Sequence, residues 1–265
     1  MKINGEGFLS NSGQRNARQL IADNSGMFQS LELIIYKFRD FSSSLEVHKQ
    51  DTEVGRQKII ALVLAVRLLE ITEAALLIMR NGMSNEANTM FRVFLDAYFI
   101  LANICSDTSF VTNYFKSDET TRLKLLNSVE KHDSGLFKKT NDYASATLKL
   151  DLKNKIIEEQ IQAFNSYAYA DNVGCSEIYD SMYRLTSANL HTLPRALEKY
   201  VVEDENGIII EIKDLPVEGD IPQRGYDFSY FLIKSLSGLK ELFGFSDSKE
   251  IELMISSLNE SCKKI

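Results

Sequence analysis

The chain has 265 residues, 44% of them hydrophobic and 25% charged, a composition that allows a sizeable buried core. Its formal net charge of −7 excludes a broad basic surface of the kind that holds duplex DNA, although a local basic groove is compatible with this balance. Cys105, Cys175 and Cys262 are far apart and form no CxxC pair, and the first residues lack the apolar region of a signal peptide. We therefore expect free thiols and a cytoplasmic location.

The most apolar stretch of the chain, residues 59–79, is interrupted by Arg67, Glu70 and Glu73. Charges at that depth would be costly in a lipid bilayer. The stretch therefore predicts a buried helix rather than a membrane span, and we expect no membrane partner.

Residues 1–13 are predicted to form a flexible tail. A helical stripe of apolar residues follows at about 27–48, and a second helix, apolar around most of its circumference, at Glu53–Arg80. Asn81-Gly82 marks the end of that helix, and Ser84 is expected to cap a third one that runs to about residue 105. So short a connection predicts that the second and third helices form a long antiparallel pair at the centre of the fold.

The next part of the chain predicts shorter and more polar helices, over residues 107–165, with breaks at Gly135 and at residues 171–175. A further helix begins near Ser176. It should end near His191, because the ring of Pro194, three residues later, would clash with the helical carbonyl four residues before it.

The final part of the chain changes its periodicity. Asn206-Gly207 between two β-rich runs predicts a hairpin at about residues 200–213, and two amphipathic helices follow at about 226–244 and 247–263. The predicted fold class is all-α: a helical bundle with a long antiparallel central helix pair and a small β-hairpin insertion. We expect residues 14–265 to form a single domain.

Common catalytic signatures are absent from the sequence. There is no phosphate-binding loop, dinucleotide fingerprint, zinc-protease motif or nucleophile elbow. His48, His132 and His191 are not spaced as metal ligands. We therefore expect neither a cofactor nor a metal ion.

One helical segment is polar where a core stripe should be apolar. Arg184 and His191 are seven residues apart, two helical turns, so they lie nearly in line, with Ser187 between them and Tyr183 on the same edge. A guanidinium beside an imidazole suits phosphate binding and general acid–base chemistry near neutral pH. The same spacing also suits a buried polar network in which Arg184 pairs with a carboxylate and His191 bonds to a helix end.

Arg184, six intervening residues and His191 resemble the R-x(4–6)-H motif of the HEPN superfamily of all-α domains, many of them metal-independent ribonucleases. The chain also resembles a bacterial helical family of unknown function, number 5677. That family has an Arg-x-x-x-acidic helix, here Arg92 to Asp96, then a Tyr…Ser…His helix, here Tyr183, Ser187 and His191, and a small hairpin.

The resemblance implies a metal-independent ribonuclease or toxin of a bacterial defence system. Arg184 would stabilise the phosphate, and His191 would act as acid or base at the interface of a homodimer. Leu185 stands where HEPN nucleases commonly have asparagine, and Asn189 supplies an amide nearby. The implied partners are a second copy of the chain, an RNA substrate and an antitoxin or other defence-system protein.

Two other functions remain open. The domain would be an inactive helical interaction or sensor module if His191 is buried away from any groove. It would be a small-ligand protein if Arg92, Tyr183 and His191 line an enclosed cavity. Arg92 and Asp96 themselves are either a simple intrahelical ion pair or a partly buried pair that orients Arg184 or His191.

Overall fold

The computed structural model describes most of the chain. The described residues are 2–4, 7–130, 146–213, 219–245 and 248–262. His132 and the predicted break at Gly135 lie outside the described residues.

Two elements of secondary structure begin within the predicted tail of residues 1–13. Strand β1 spans Lys2–Asn4, and helix α1 spans Asn11–Asp23, with the Ser10 hydroxyl accepting a hydrogen bond from the Gly13 amide at 2.9 Å. The partner strand of β1 comes more than 200 residues later in the chain. The sequence of the first residues alone therefore does not predict strand β1.

Helix α2 spans Ser25–Ser43, so the helix predicted at about residues 27–48 ends earlier than expected. Three consecutive serines, Ser42, Ser43 and Ser44, donate side-chain hydrogen bonds to backbone carbonyls three or four residues earlier. Such bonds compete with continuation of the helix, which explains the early end.

The predicted central pair is confirmed. Helix α3 spans Glu53–Arg80, helix α4 spans Ser84–Ser106, and their contact is the most extensive between any two of the described elements. Gly82 has a φ of 72°, its amide donates to the Met79 carbonyl, and the Met83 amide donates to the Ile78 carbonyl. This is the Schellman geometry that glycine favours after a helix. Ser84 is the first residue of α4 rather than its cap, because the flanking residue with non-helical backbone is Met83.

Six α-helices lie in the described middle of the chain, and the first of them, at 23 residues, is as long as α4 rather than shorter as predicted. They are α5 (Thr108–Glu130), α6 (Ala146–Glu158), α7 (Ser166–Asn172), α8 (Ser176–Ile178), α9 (Arg184–Leu190) and α10 (Pro194–Leu197). A π-helical turn, Tyr179–Tyr183, joins α8 to α9 without a break. His191 ends α9, and Pro194 occupies the first turn of α10. The predicted end of this helix near His191 is therefore confirmed.

A small sheet follows. Strands β2 (Val201–Glu203) and β3 (Ile209–Lys213) form the predicted hairpin, and β1 pairs with β3 in parallel, so the strand order is β1–β3–β2. Helices α11 (Ile221–Leu242) and α12 (Ser248–Cys262) complete the fold. The predicted all-α bundle with a small β-hairpin is confirmed.

The core is built around α4. Helix α11 packs across α4 and α2, and the ring of Phe228 meets the rings of Phe91 and Phe94 edge-to-face, each with centroids 5.1 Å apart. These three side chains are fully buried. Helix α4 is also the one described helix whose length and composition would suit a membrane span, but just over half of its most apolar window is buried inside the molecule, as expected of a core helix.

A substitution at Gly55 tests how closely the Lys49 backbone approaches the start of α3. A Cβ atom there would lie 1.6 Å from the Lys49 carbonyl oxygen, a backbone atom that cannot rotate away. We expect Gly55→Ala to lower the free energy of unfolding by about 2 kcal/mol, measured by urea denaturation. Gly26→Ala in α2 is the matched control, because no atom lies within 4 Å of its added Cβ. Equal stability of the two variants would contradict the packing described here.

Candidate functional site

The predicted Arg92–Asp96 pair lies on α4 and forms an intrahelical salt bridge between Arg92 Nη1 and Asp96 Oδ2. It is partly buried, since the side chains are 14% and 29% exposed. Arg92 Nε donates a hydrogen bond of 3.1 Å to the Ser187 hydroxyl on α9. The pair thus joins the core helix to the predicted polar segment, which a simple surface ion pair would not do.

The carboxylate of Asp96 collects further donors. Its Oδ1 accepts hydrogen bonds from the Tyr183 hydroxyl at 3.0 Å and from the Ser166 hydroxyl at 2.7 Å. The Arg92 guanidinium lies against the Tyr183 ring, with Cζ 3.4 Å from the ring centroid. Such a contact between a cation and an aromatic face is favourable, and more so when it is shielded from water.

We call Arg92, Asp96, Ser166, Tyr183 and Ser187 the Asp96 network. Four of its members were predicted from sequence. Ser166 was missed, because it begins a separate short helix and no local pattern connects it to α4. The π-helical turn before α9 was missed as well. Turns of this kind occur often at functional sites.

Arg184 lies outside the Asp96 network. Its Nε is 3.1 Å from Asp180 Oδ1, its Cζ is 5.8 Å from the Tyr179 ring centroid, and its side chain is 66% exposed. The pairing of Arg184 with a carboxylate matches one of the two readings of the spacing. The pairing takes place in solvent, however, so the guanidinium remains accessible.

His191 is exposed at the end of α9. Its side chain makes no hydrogen bond or ion pair with any described residue. The next residue, Thr192, has a φ of 49°, an uncommon conformation for a β-branched residue. The Leu193 amide then donates to the Ala188 carbonyl at 3.0 Å, which closes the helix end. The imidazole is thus held on a well-defined turn and faces solvent.

A cleft of about 330 Å³ adjoins the same segment. Asn189, predicted as a supporting residue, lines it together with Arg195 of α10, whereas Arg184 and His191 are not among its lining residues. The expectation that Arg184 and His191 point together into one cleft is therefore not met by this cleft. Their catalytic roles stay a prediction.

Cysteine and metal chemistry find little support in the described residues. Burial raises the pKa of the Cys105 thiol to about 12 and raises the pKa of Cys175, so both thiols are poor nucleophiles. Within the described ranges, no three His, Cys, Asp or Glu side chains come together as a metal-binding group.

A model of a family of unknown function (DUF5677) matches residues 58–208, more than half of the chain. The chain belongs to this family. The match to DUF5677 contains the whole Asp96 network, Arg184, His191 and the start of the hairpin, and leaves out α1, α2, α11 and α12. No curated protein and no solved structure matches the chain.

Tyr183 tests the Asp96 network in this DUF5677 member. Tyr183→Phe removes the hydroxyl that bonds to Asp96 and keeps the ring under Arg92. We expect the free energy of unfolding to fall by about 1 kcal/mol, a modest loss because Asp96 is partly exposed and water can replace the donor. Tyr179→Phe is the control, since the Tyr179 hydroxyl bonds to no described residue. Equal urea midpoints for the two variants would contradict a structural role for the bond.

Proposed function

We propose that this protein is a metal-independent endoribonuclease, a toxin of a bacterial defence system that acts in the cytoplasm as a homodimer. The observation that carries the proposal is the free, exposed imidazole of His191, held at the end of a helix that the Asp96 network fixes to the core. An exposed histidine with no structural partner among the described residues is available for proton transfer. The resemblance of Arg184 and His191 to the HEPN motif supports the same reading.

The proposed reaction is cleavage of RNA by its own 2′-hydroxyl. The 2′-oxygen loses its proton to a base and bonds to phosphorus, and the bond from phosphorus to the 5′-oxygen breaks. An acid protonates the departing 5′-oxygen, so the products are a 2′,3′-cyclic phosphate and a free 5′-hydroxyl. Arg184 would stabilise the negative charge that builds up on the phosphoryl oxygens.

Efficient cleavage calls for both an acid and a base. Within the described part of one protomer, the only other histidine is His48. It lies between α2 and α3 and is well exposed, with its Nε2 atom 3.7 Å from Oε2 of Glu46. The proposal therefore takes the second imidazole from a second copy of the chain, with the two His191 side chains meeting across a twofold axis.

Exposed leucines support such a dimer. Leu190, Leu193 and Leu197 are exposed, and they lie within one short segment that also carries His191. Apolar side chains gathered in this way commonly mark an interaction surface. A dimer that buried them would bring two copies of His191 close to one interface.

The Asp96 network has a positioning role in this proposal. Arg92 and Asp96 are less exposed than Arg184, and Arg92 holds Ser187, one turn before His191. RNA would meet a protein of net charge −7, so binding must rely on local cations such as Arg184 and Arg195 and should weaken with added salt.

A second candidate function is an inactive helical interaction or sensor module. The ion pair of Arg184 with Asp180 favours it, because a paired guanidinium has less charge to offer a phosphate. In that case the exposed leucines would bind a different protein, such as an antitoxin or another defence-system component. The exposed leucines are compatible with both functions. The two functions are therefore distinguished by whether His191 is needed for RNA cleavage.

His191→Ala tests catalysis. We expect cleavage of a fluorescent single-stranded RNA, measured with EDTA present, to fall at least about 100-fold, while the melting temperature stays unchanged because the side chain is exposed. Expression of the wild type, but not of the variant, should arrest growth. His48→Ala, a second exposed histidine, should cleave like the wild type. A wild type that leaves RNA intact, or a His191→Ala variant as active as the wild type, would rule out the nuclease.

Leu193→Asp tests the dimer. The leucine is 49% exposed, so the change should not disturb the fold, but a charge at the interface should yield monomers in sedimentation experiments and abolish cleavage in parallel. Leu77→Asp on α3 is the matched control, since Leu77 is 63% exposed and lies far along the chain. A wild-type monomer that cleaves RNA would contradict the composite site.

A further inference from the structure

The cleft beside α9 is built from polar groups of four helices. It lies where the first turns of α4 and α11 meet α9 and α10. Its polar lining side chains are Asn85, Asn88, Thr186, Asn189, Arg195, Asp220 and Arg224. A gap left by imperfect packing of helices would not need three amides, two guanidinium groups and a carboxylate in its lining.

Several of these groups have hydrogen-bonding capacity that the described chain does not use. The side chains of Asn189 and Arg195 make no hydrogen bond or ion pair with described residues. The Oδ1 of Asn85 is buried and accepts no hydrogen bond from them, while its Nδ2 donates to the Tyr200 hydroxyl. Buried polar atoms are normally paired, so this acceptor is an exception, but it has almost no accessible surface. The groups that are open to a ligand are therefore those of Asn189 and Arg195.

Other groups hold the wall in place. Arg224 is clamped between Asp227, 2.9 Å away, and the ring of Phe91, whose centroid is 4.8 Å from Cζ. Its buried Nε still lacks a hydrogen-bond acceptor among the described residues. Asn88 Nδ2 donates to Asp220 Oδ2 at 3.2 Å, which fixes the direction of the carboxylate. These side chains are therefore pre-arranged before any ligand arrives.

The chemistry of the cleft matches one nucleotide. Asparagine amides pair with both a donor and an acceptor on the edge of a nucleobase, and a carboxylate accepts from an exocyclic amino group. Leu185 and Ala188 supply apolar surface for the face of the base. The exposed Arg195 suits a phosphate. A volume of about 330 Å³ lies at the lower end of the range of ligand pockets, as a ligand of this size requires.

We propose that this cleft binds a single nucleotide, with the base against Asn189 and the phosphate on Arg195. Asn189 and Arg195 flank His191 in the chain, two residues before it and four after it. If the protein cleaves RNA, as proposed above, the bound nucleotide is the neighbour of the cleaved phosphate and the cleft sets sequence preference. A free nucleotide offers the same chemistry, and nucleotide binding itself does not depend on the nuclease proposal.

Calorimetric titration with the four ribonucleoside 5′-monophosphates tests the cleft, with ribose 5-phosphate as the probe that lacks a base. We expect the wild type to prefer one base over the others by about tenfold and to bind ribose 5-phosphate more weakly than any of them. Asn189→Ala should remove the preference among bases. Arg195→Ala should weaken all four nucleotides about equally. Both side chains lack partners among the described residues, so we expect the variants to fold normally.

The controls are Asn113→Ala and Arg18→Ala, exposed residues away from the cleft that should bind like the wild type. Nucleotide binding that is equal for all bases and for ribose 5-phosphate, or that is unchanged in Asn189→Ala and Arg195→Ala, would overturn the proposal. So would the absence of any binding.

The source of the nucleotide is decided with the His191→Ala protein, which should not cleave. Tighter binding of a short single-stranded RNA than of the preferred monophosphate supports an RNA residue in the cleft, and equal binding supports a free nucleotide. Base-selective binding without RNA cleavage by the wild type would retain the cleft and reject the nuclease. Cleavage that depends on His191 but keeps its cut sites and nucleotide binding in Asn189→Ala would retain the nuclease and reject the cleft.

Discussion

The placement of the proposed catalytic segment depends on one carboxylate, that of Asp96. It accepts hydrogen bonds from Arg92 on its own helix, from Tyr183 at the start of α9 and from Ser166 on α7. A partly buried carboxylate is stable only when such donors surround it. Apolar packing is not directional. Hydrogen bonds are, so the Asp96 network fixes how far along α4 and at what rotation the segment lies.

That fixed rotation separates the two sides of one helix. Tyr183, Thr186 and Ser187 face the core, whereas Arg184 and His191 are exposed. The π-helical turn at Tyr179–Tyr183 precedes this division, and the strained Thr192 follows it. Strain of this kind costs about 1–3 kcal/mol and persists only when the surroundings impose it. The backbone conformation of the segment is thus fixed at both ends, while its outer surface stays free for other molecules.

Much of the architecture could be predicted because its signals are local. The bounds of α3 follow from its apolar pattern and the Asn81-Gly82 stop, and the end of α9 follows from Pro194. What could not be predicted depends on contacts between distant residues. Strand β1 exists only through β3, and Ser166 joins the network only because the fold brings α7 to α4. The ion pair of Arg184 with Asp180 is, in contrast, a local contact one helical turn apart, and one of the two interpretations of this segment already paired Arg184 with a carboxylate.

The geometry of α9 also constrains how the two proposed sites would work together. Asn189 is five residues after Arg184, so at 3.6 residues per turn it lies about 140° further round the helix. Arg184 and His191, in contrast, lie within about 20° of each other. Arg184 is not among the residues that line the cleft, so a nucleotide bound there would not contact its guanidinium. A strand of RNA that filled the cleft would have to pass over the end of α9 to reach His191, where the exposed leucines lie.

In a homodimer closed by those leucines, the scissile phosphate would sit between the two protomers and each cleft would hold a base on its own side. The acid and the base would then be shared between the copies, whereas recognition of the base would belong to each copy alone.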